Sequence, residues 1–191
     1  VDTLSPIASS GRLDVAGARR GQITAAVRRL VATEGVGAVT IARIAALMGT
    51  SRGVVNYHFE NKEEILRAAL LSAGKDASAA TDQIVTESHD LESVIELVVS
   101  LASKNSDSDW WHVYTAFLAE ATHDEFAKEM IRAIDRSFRA HLAKALGDEP
   151  RAALVLAVMK GLALQWLVDD DFQANQALRS ARGLFGGWSP T

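Results

Sequence analysis

Glu120 and His123 stand three residues apart, the Glu-x-x-His spacing of di-iron helical bundles, and Asp109 and His112 repeat it. Such a site needs its ligands on facing helices, together with two further glutamates. Here both pairs fall on one expected helix, and His123 lies in the loop that ends it. A helical-bundle metal enzyme is therefore only the far alternative, and no metal ligand is assigned. The chain has no cysteine, which excludes disulfides and thiolate metal sites and fits a reducing cytoplasm. It has no glycine-rich phosphate loop and no G-x-S-x-G elbow. The expectation is a protein that binds rather than catalyses, with no catalytic residue and no cofactor.

A second group of residues has the chemistry of a binding site. Trp110, Trp111, Tyr114 and Phe117 gather in one stretch. Trp110, Tyr114 and Phe117 share a helical face, with Trp111 pointing partly elsewhere. Met130 follows on the next expected helix, and Met159 and Trp166 on the one after. Stripes of this kind build ordinary cores, and they also line the apolar cavities in which small ligands bind. Both readings stand. Gln165, like His112 and Glu120, is a polar group beside these stripes that could orient a ligand or face water. Aromatic rings in an acidic domain suit a cationic ligand.

The charge is divided along the chain. Residues 1–70 hold nine Lys/Arg and six Asp/Glu, a balance of +3, while residues 71–191 hold eleven and eighteen, a balance of −7. A basic head on an acidic body directs a search for nucleic-acid binding to the head. There, Ala45, Gly49 and Val55 have the spacing of two helices joined by a tight turn. The small residue lets the helices cross, the glycine turns the chain, and the valine faces back. Ile44, Met48 and Val54 are candidates to seal this unit against the preceding helix.

The run TIARIAALMGTSRGVVNYHFENKEEIL, residues 40–66, resembles the helix-turn-helix signature of TetR-family regulators. Thr40, Gly49, Ser51, the triplet Tyr57-His58-Phe59 and the pair Lys62-Glu63 carry the likeness, which reaches back to about Arg20. The resemblance implies that Arg52 and Gly53 face base edges in the major groove, where arginine can hold guanine with two parallel bonds. It implies phosphate contacts for Tyr57, His58, Lys62 and Thr40, with Ser51 opening the recognition helix. Asn56 departs from the family pattern, where tyrosine is usual, and its amide could reach a base or a phosphate. The implied partners are double-stranded operator DNA, a second copy of the chain and a small-molecule effector. A DNA-binding regulator without an effector is the alternative, and an enclosed, mostly apolar pocket between the middle helices would discriminate the two.

The elements that must position these residues read as helix almost throughout, because apolar residues recur at three and four and no β-branched alternation persists. The expected class is all-α with about nine helices. Residues 1–17 read as a flexible arm, 18–60 as the helix-turn-helix domain, and 61–191 as a ligand-binding and dimerisation domain that includes the connecting helix. The first helix is expected from Arg19 to Glu34, ended by Gly35 as a left-handed cap. Thr40, Ser51 and Asn61 are expected to cap the next three, the last with Glu64 closing a capping box. Helices over 90–104, 109–121, 124–146, 149–168 and 173–186 follow. The last two would form the dimer interface through Val155, Val158, Leu162, Leu178, Ala181 and Phe185. No segment runs long enough without a charge to span a bilayer, and the N-terminus shows no leader pattern, so a cytoplasmic protein without a membrane partner is expected.

Overall fold

A computed structural model describes residues 14–87, 109–169, 171–173 and 176–177. Among these residues every regular element is helical. The order is α1 (Val15–Glu34), a short 3-10 turn (Val36–Ala38), α2 (Ile41–Leu47), α3 (Arg52–His58), α4 (Lys62–Glu87), α5 (Trp110–Glu120), α6 (Glu125–Leu146) and α7 (Glu149–Val168). The helices expected over 90–104 and 173–186 lie outside the described residues, apart from the helical pair Gln176 and Ala177.

The helix starts follow from their caps. Asp14 accepts the Gly17 amide at 2.8 Å, so α1 begins at Val15, four residues before the expected Arg19. Thr40 accepts the Arg43 amide at 3.1 Å and Ser51 the Val54 amide at 3.3 Å, opening α2 and α3 where expected. Asn61 accepts the Glu64 amide at 2.8 Å, but Glu64 reaches back to the Glu60 amide rather than to that of Asn61. The reciprocal box thus closes one residue early. Gly35 does have positive φ, yet its ψ of 171° is extended, so it is not the left-handed cap expected. Its amide still bonds the Val31 carbonyl while the chain swings out into the 3-10 turn. Gly49 carries the tight turn between α2 and α3 with φ +60°, a conformation that strains any side chain.

α1 buries Ile23, Val27, Leu30 and Val31 along one stripe. Ile44, Ala45 and Val55 of the helix pair are buried against it, with Met48 and Val54 half-buried at the edge. α4 buries Ile65, Leu66, Ala69, Leu70 and Ala73, and it packs on α1, α5 and α6. α5 in turn touches α1, the 3-10 turn, α4, α6 and α7. One apolar core therefore joins buried residues from Ile23 to Ala163. α6 and α7 form an antiparallel hairpin turned by Gly147, with Pro150 in the first turn of α7. By length and composition α7 is apolar enough to cross a membrane, the one such helix among the described residues, although it carries Arg151 and Lys160.

α7 divides its apolar residues between the core and the surface of the protomer. Leu162 is buried within the protomer, and Val155 and Val158 are half-buried. The outward stripe is instead Leu154, Ala157, Gly161, Leu164 and Val168, at a heptad spacing. Leu154, Leu164 and Val168 are exposed, and a Cβ on Gly161 would meet nothing within 4 Å. Leu178, Ala181 and Phe185 lie outside the described residues.

Candidate functional site

The first site is the face presented by α2, α3 and the start of α4. Thr40, Ser51, Arg52, Gly53, Asn56, Tyr57 and Lys62 are exposed, and His58 is half-buried. Tyr57 is 80% exposed, an unusual position for an aromatic ring unless something covers it. Its ring stands edge-on to His58 at 5.1 Å between centroids. Among the described residues Arg52 and Lys62 make no ion pair, whereas Arg43 is held by Glu34 at 2.5 Å. Arg52 and Lys62 thus keep their charges available for an external anion.

This face is anchored from behind by Arg20, whose structural role the sequence did not reveal. Its guanidinium donates to the His58 carbonyl at the end of α3 and to Glu64 of α4 at 2.6 Å, and lies 4.0 Å over the Phe59 ring. A cation at a helix C-terminus also complements the helix dipole. The hydrogen bond from Arg20, then that from the Glu60 amide, hold the Glu64 carboxyl below the usual carboxylate range.

The second site is aromatic. Trp110, Trp111, Tyr114 and Phe117 are all buried, including Trp111, which the helical wheel turned partly outward. The reason is that α5 has neighbours on nearly every side. Trp110, Trp111, Tyr114 and Met159 come together as the wall of one pocket, and Asp135, Phe138, Leu156 and Lys160 complete it. Its free space is about 10 Å³, the room of a single water molecule. Phe117 and Met130 are buried but do not line it. Gln165 is exposed and turned back toward the Gly161 carbonyl, and Trp166 is half-buried with its ring edge-on to His112 at 5.8 Å. A roomier hollow of about 360 Å³ opens between α4 and α6, lined by Leu71, Gly74, Lys75, Ile134 and His141. It shares Phe138 with the aromatic pocket.

The pocket's polar groups form a short chain. The Tyr114 hydroxyl donates to Asp135 Oδ1 at 2.9 Å, and Lys160 Nζ donates to Asp135 Oδ2 at 2.5 Å. Burial, and then the Asp135 charge, push the Tyr114 phenol well above its ordinary range, so it stays protonated and donating. Glu120 and His123, the pair with metal-like spacing, do meet at 3.1 Å. Among the described residues no group of three or more His, Asp or Glu is placed to hold a metal.

Pocket and head are joined by Arg28 of α1. Its guanidinium holds Ser72 at 3.1 Å and Asp76 at 2.5 Å on α4, and takes Asp109 in a two-pronged grip. Asp109 occupies the N-cap position of α5, and its backbone carbonyl accepts the Val113 amide at 3.0 Å, yet its side chain caps none of that helix's amides. Its carboxylate is committed to Arg28 instead. Burial works against the Arg28 charge, but hydrogen bonds and attraction from Asp109 and Asp76 outweigh it and raise its pKa. The residue after Asp109 is Trp110, a pocket wall.

Comparison with known proteins places the chain beside bacterial regulators. Residues 23–69 match the model for bacterial regulatory proteins of the tetR family, and residues 88–184 match that for the C-terminal part of BetI-type transcriptional repressors. The HTH-type transcriptional regulator BetI of Pseudomonas aeruginosa is 28% identical over 178 residues, 85% of this chain and 89% of that one. The repressor AcnR of Corynebacterium jeikeium is 31% identical over 94 residues, 49% of this chain and 45% of that one. A structure from Rhodococcus sp. described as a TetR-family transcriptional regulator superposes with a TM-score of 0.76 at 19% identity, covering 89% and 97% of the two chains. A transcriptional regulator from Saccharomonospora viridis, solved in complex with choline, gives 0.67 at 24%, covering 87% and 96%. With its helix-turn-helix and its C-terminal body both matched, the chain belongs to the tetR family of bacterial regulatory proteins.

Proposed function

We propose that this regulator is a repressor that binds a palindromic operator as a homodimer and leaves it when a small ammonium-bearing effector enters the aromatic pocket. One observation carries the reading: the pocket wall Trp110 and the head anchor Asp109 are consecutive residues. A ligand that displaces Trp110 pulls on the carboxylate that holds Arg28. The connecting helix α4 links head and body, and α5 gives a second, direct path into the head. An effector favouring the conformation that cannot bind DNA lowers operator affinity by linkage, typically by about 1–3 kcal/mol. The rings, the acidic group and the choline bound to the S. viridis protein favour a cation. The test is operator affinity, on DNA selected with the purified protein, with and without choline and larger alkylammonium ions. Unchanged affinity with every cation would remove the effector from the proposal and leave a DNA-binding regulator.

On the DNA face, Arg52→Ala should weaken operator binding by about 1–3 kcal/mol and relax preference at one base position. Lys62→Ala should weaken every DNA sequence alike and reduce the salt slope by about 1. If both variants bind as the parent does, the contact assignment is wrong.

The homodimer is proposed to form through the outward stripe of α7, where Ala157 and Gly161 let two helices approach closely and the leucines flank them. Two recognition helices would then enter grooves about 34–36 Å apart or a multiple of that. Leu164→Glu should give a folded monomer by sedimentation with little specific DNA affinity. A Leu164→Glu protein that remains dimeric would place the interface elsewhere.

A further inference from the structure

The aromatic pocket has free space of only about 10 Å³, and the chain's own Lys160 ammonium stands in its wall. We propose that Lys160 is a tethered occupant of the effector site, an internal cation that any external one must expel. This deepens the reading above and rests on it for the identity of the site.

Lys160 Nζ lies 2.5 Å from Asp135 Oδ2 and 5.3 Å from the centroid of the Tyr114 ring. The Trp110 ring is 5.3 Å from Tyr114 and 5.5 Å from Phe138, and Trp111 stands edge-on to Tyr114 at 5.8 Å. A carboxylate beside several ring faces is what recognises an alkylammonium group. The side chains of Lys160 and Asp135 are only 24% and 22% exposed. Holding such a pair mostly out of water costs desolvation that a well-packed apolar pair avoids. Packing does not require it. Lys160 has Leu156, Met159 and Ala163 as neighbours on its helix, and methionine would fill the same space.

The Asp135 carboxylate is held independently of Lys160, since Tyr114 donates to its other oxygen. When Lys160 swings out, Asp135 stays in place. The exchange is then balanced: one positive charge leaves and another enters, and the space vacated by the four-carbon stem is the space the effector takes. A tethered competitor is present at high effective concentration, so it lowers the apparent affinity of every free cation. It thereby sets the threshold at which the regulator responds. It also selects for ligands that cover more ring surface than a primary ammonium does.

The experiment measures choline binding to the full-length protein by tryptophan fluorescence and calorimetry, with no DNA present. Lys160→Ala should bind choline on the order of tenfold more tightly than the parent. Lys160→Met keeps the volume of the stem and removes the charge, so it should show a smaller gain, and it carries the test if the alanine variant fails to fold. The neutral isostere 3,3-dimethylbutanol should gain less than choline in the alanine variant. Adding Asp135→Asn to Lys160→Ala should abolish most of the choline gain. The proposal is overturned if neither Lys160 variant gains choline affinity, or if the neutral isostere gains as much as choline, which would mean that only space was opened. These readouts are separate from operator release. A parent protein whose operator affinity no cation changes would refute the effector reading even where the Lys160 variants gain choline. A parent released by choline, with Lys160 variants that gain nothing, would refute the tethered occupant alone.

Discussion

Arg28→Ala should lower the free energy of unfolding by about 2–3 kcal/mol, because it leaves two carboxylates facing a site built for their cation. Removing one partner of a fully buried pair costs about 3–5 kcal/mol. The Arg28 side chain is 14% exposed, Asp109 29% and Asp76 58%, so water reaches the acidic partners and reduces that figure. Arg28→Lys should recover only part of the loss, since an ammonium cannot hold Asp109 with two prongs while also reaching α4. Asp109→Asn keeps the geometry while removing one charge, and should fall between the parent and Arg28→Ala. Urea unfolding monitored by tryptophan fluorescence gives the comparison through the shift in midpoint at constant slope. A change under about 0.5 kcal/mol for Arg28→Ala would place this cluster among ordinary surface ion pairs.

The other large effect belongs to Phe117, which is fully buried at the centre of α5. Phe117→Ala should cost about 3–5 kcal/mol, the usual loss when a buried aromatic ring is cut back to a methyl group. Phe117 does not line the aromatic pocket, so the variant should lose stability and operator binding together. Tyr114→Phe is the contrasting variant. It keeps the ring and removes the donor to Asp135, so it should change the response to a cationic effector at a smaller stability cost. Thermal unfolding and effector titration of the two proteins separate these roles. A Phe117→Ala protein of parental stability that is deaf to effector would return Phe117 to the ligand site.

The contrast between these residues shows what the sequence carried. Thr40, Ser51 and Asp124 announce helix starts through short-range chemistry, and each accepts the amide three residues on. The turn at Gly49 and the stripe on α1 are equally local. The binding chemistry is not local. Arg28 and Asp109 are 81 residues apart in the chain, and Lys160 and Asp135 are 25 apart on separate helices. No periodicity links such pairs, so Trp110, Trp111 and Tyr114 stood out on their one helix, whereas Phe138 and the charged half of the pocket did not. α7 is ambiguous for another reason. It is apolar nearly all round, and a helix without a polar face gives no sign of which stripe turns inward. Val155, Val158 and Leu162 were as good a reading of it as Leu154, Leu164 and Val168.

The single core has a consequence for how such regulators could be recombined. α4 contributes its buried residues to the head and the body at once, and α5 lies against α1 and the 3-10 turn. The boundary expected near residue 60 is thus not a seam in the packing, since both sides of it share one core. A chimera joined there would pair one protein's α1 with another's α4 and α5, two surfaces never fitted to each other. Arg28 would then face whatever stood at positions 72, 76 and 109 of the donor. On the proposed DNA contacts, exchanging the exposed residues of α3 alone should transplant an operator preference while leaving the joint between head and body with its own sequence on both sides.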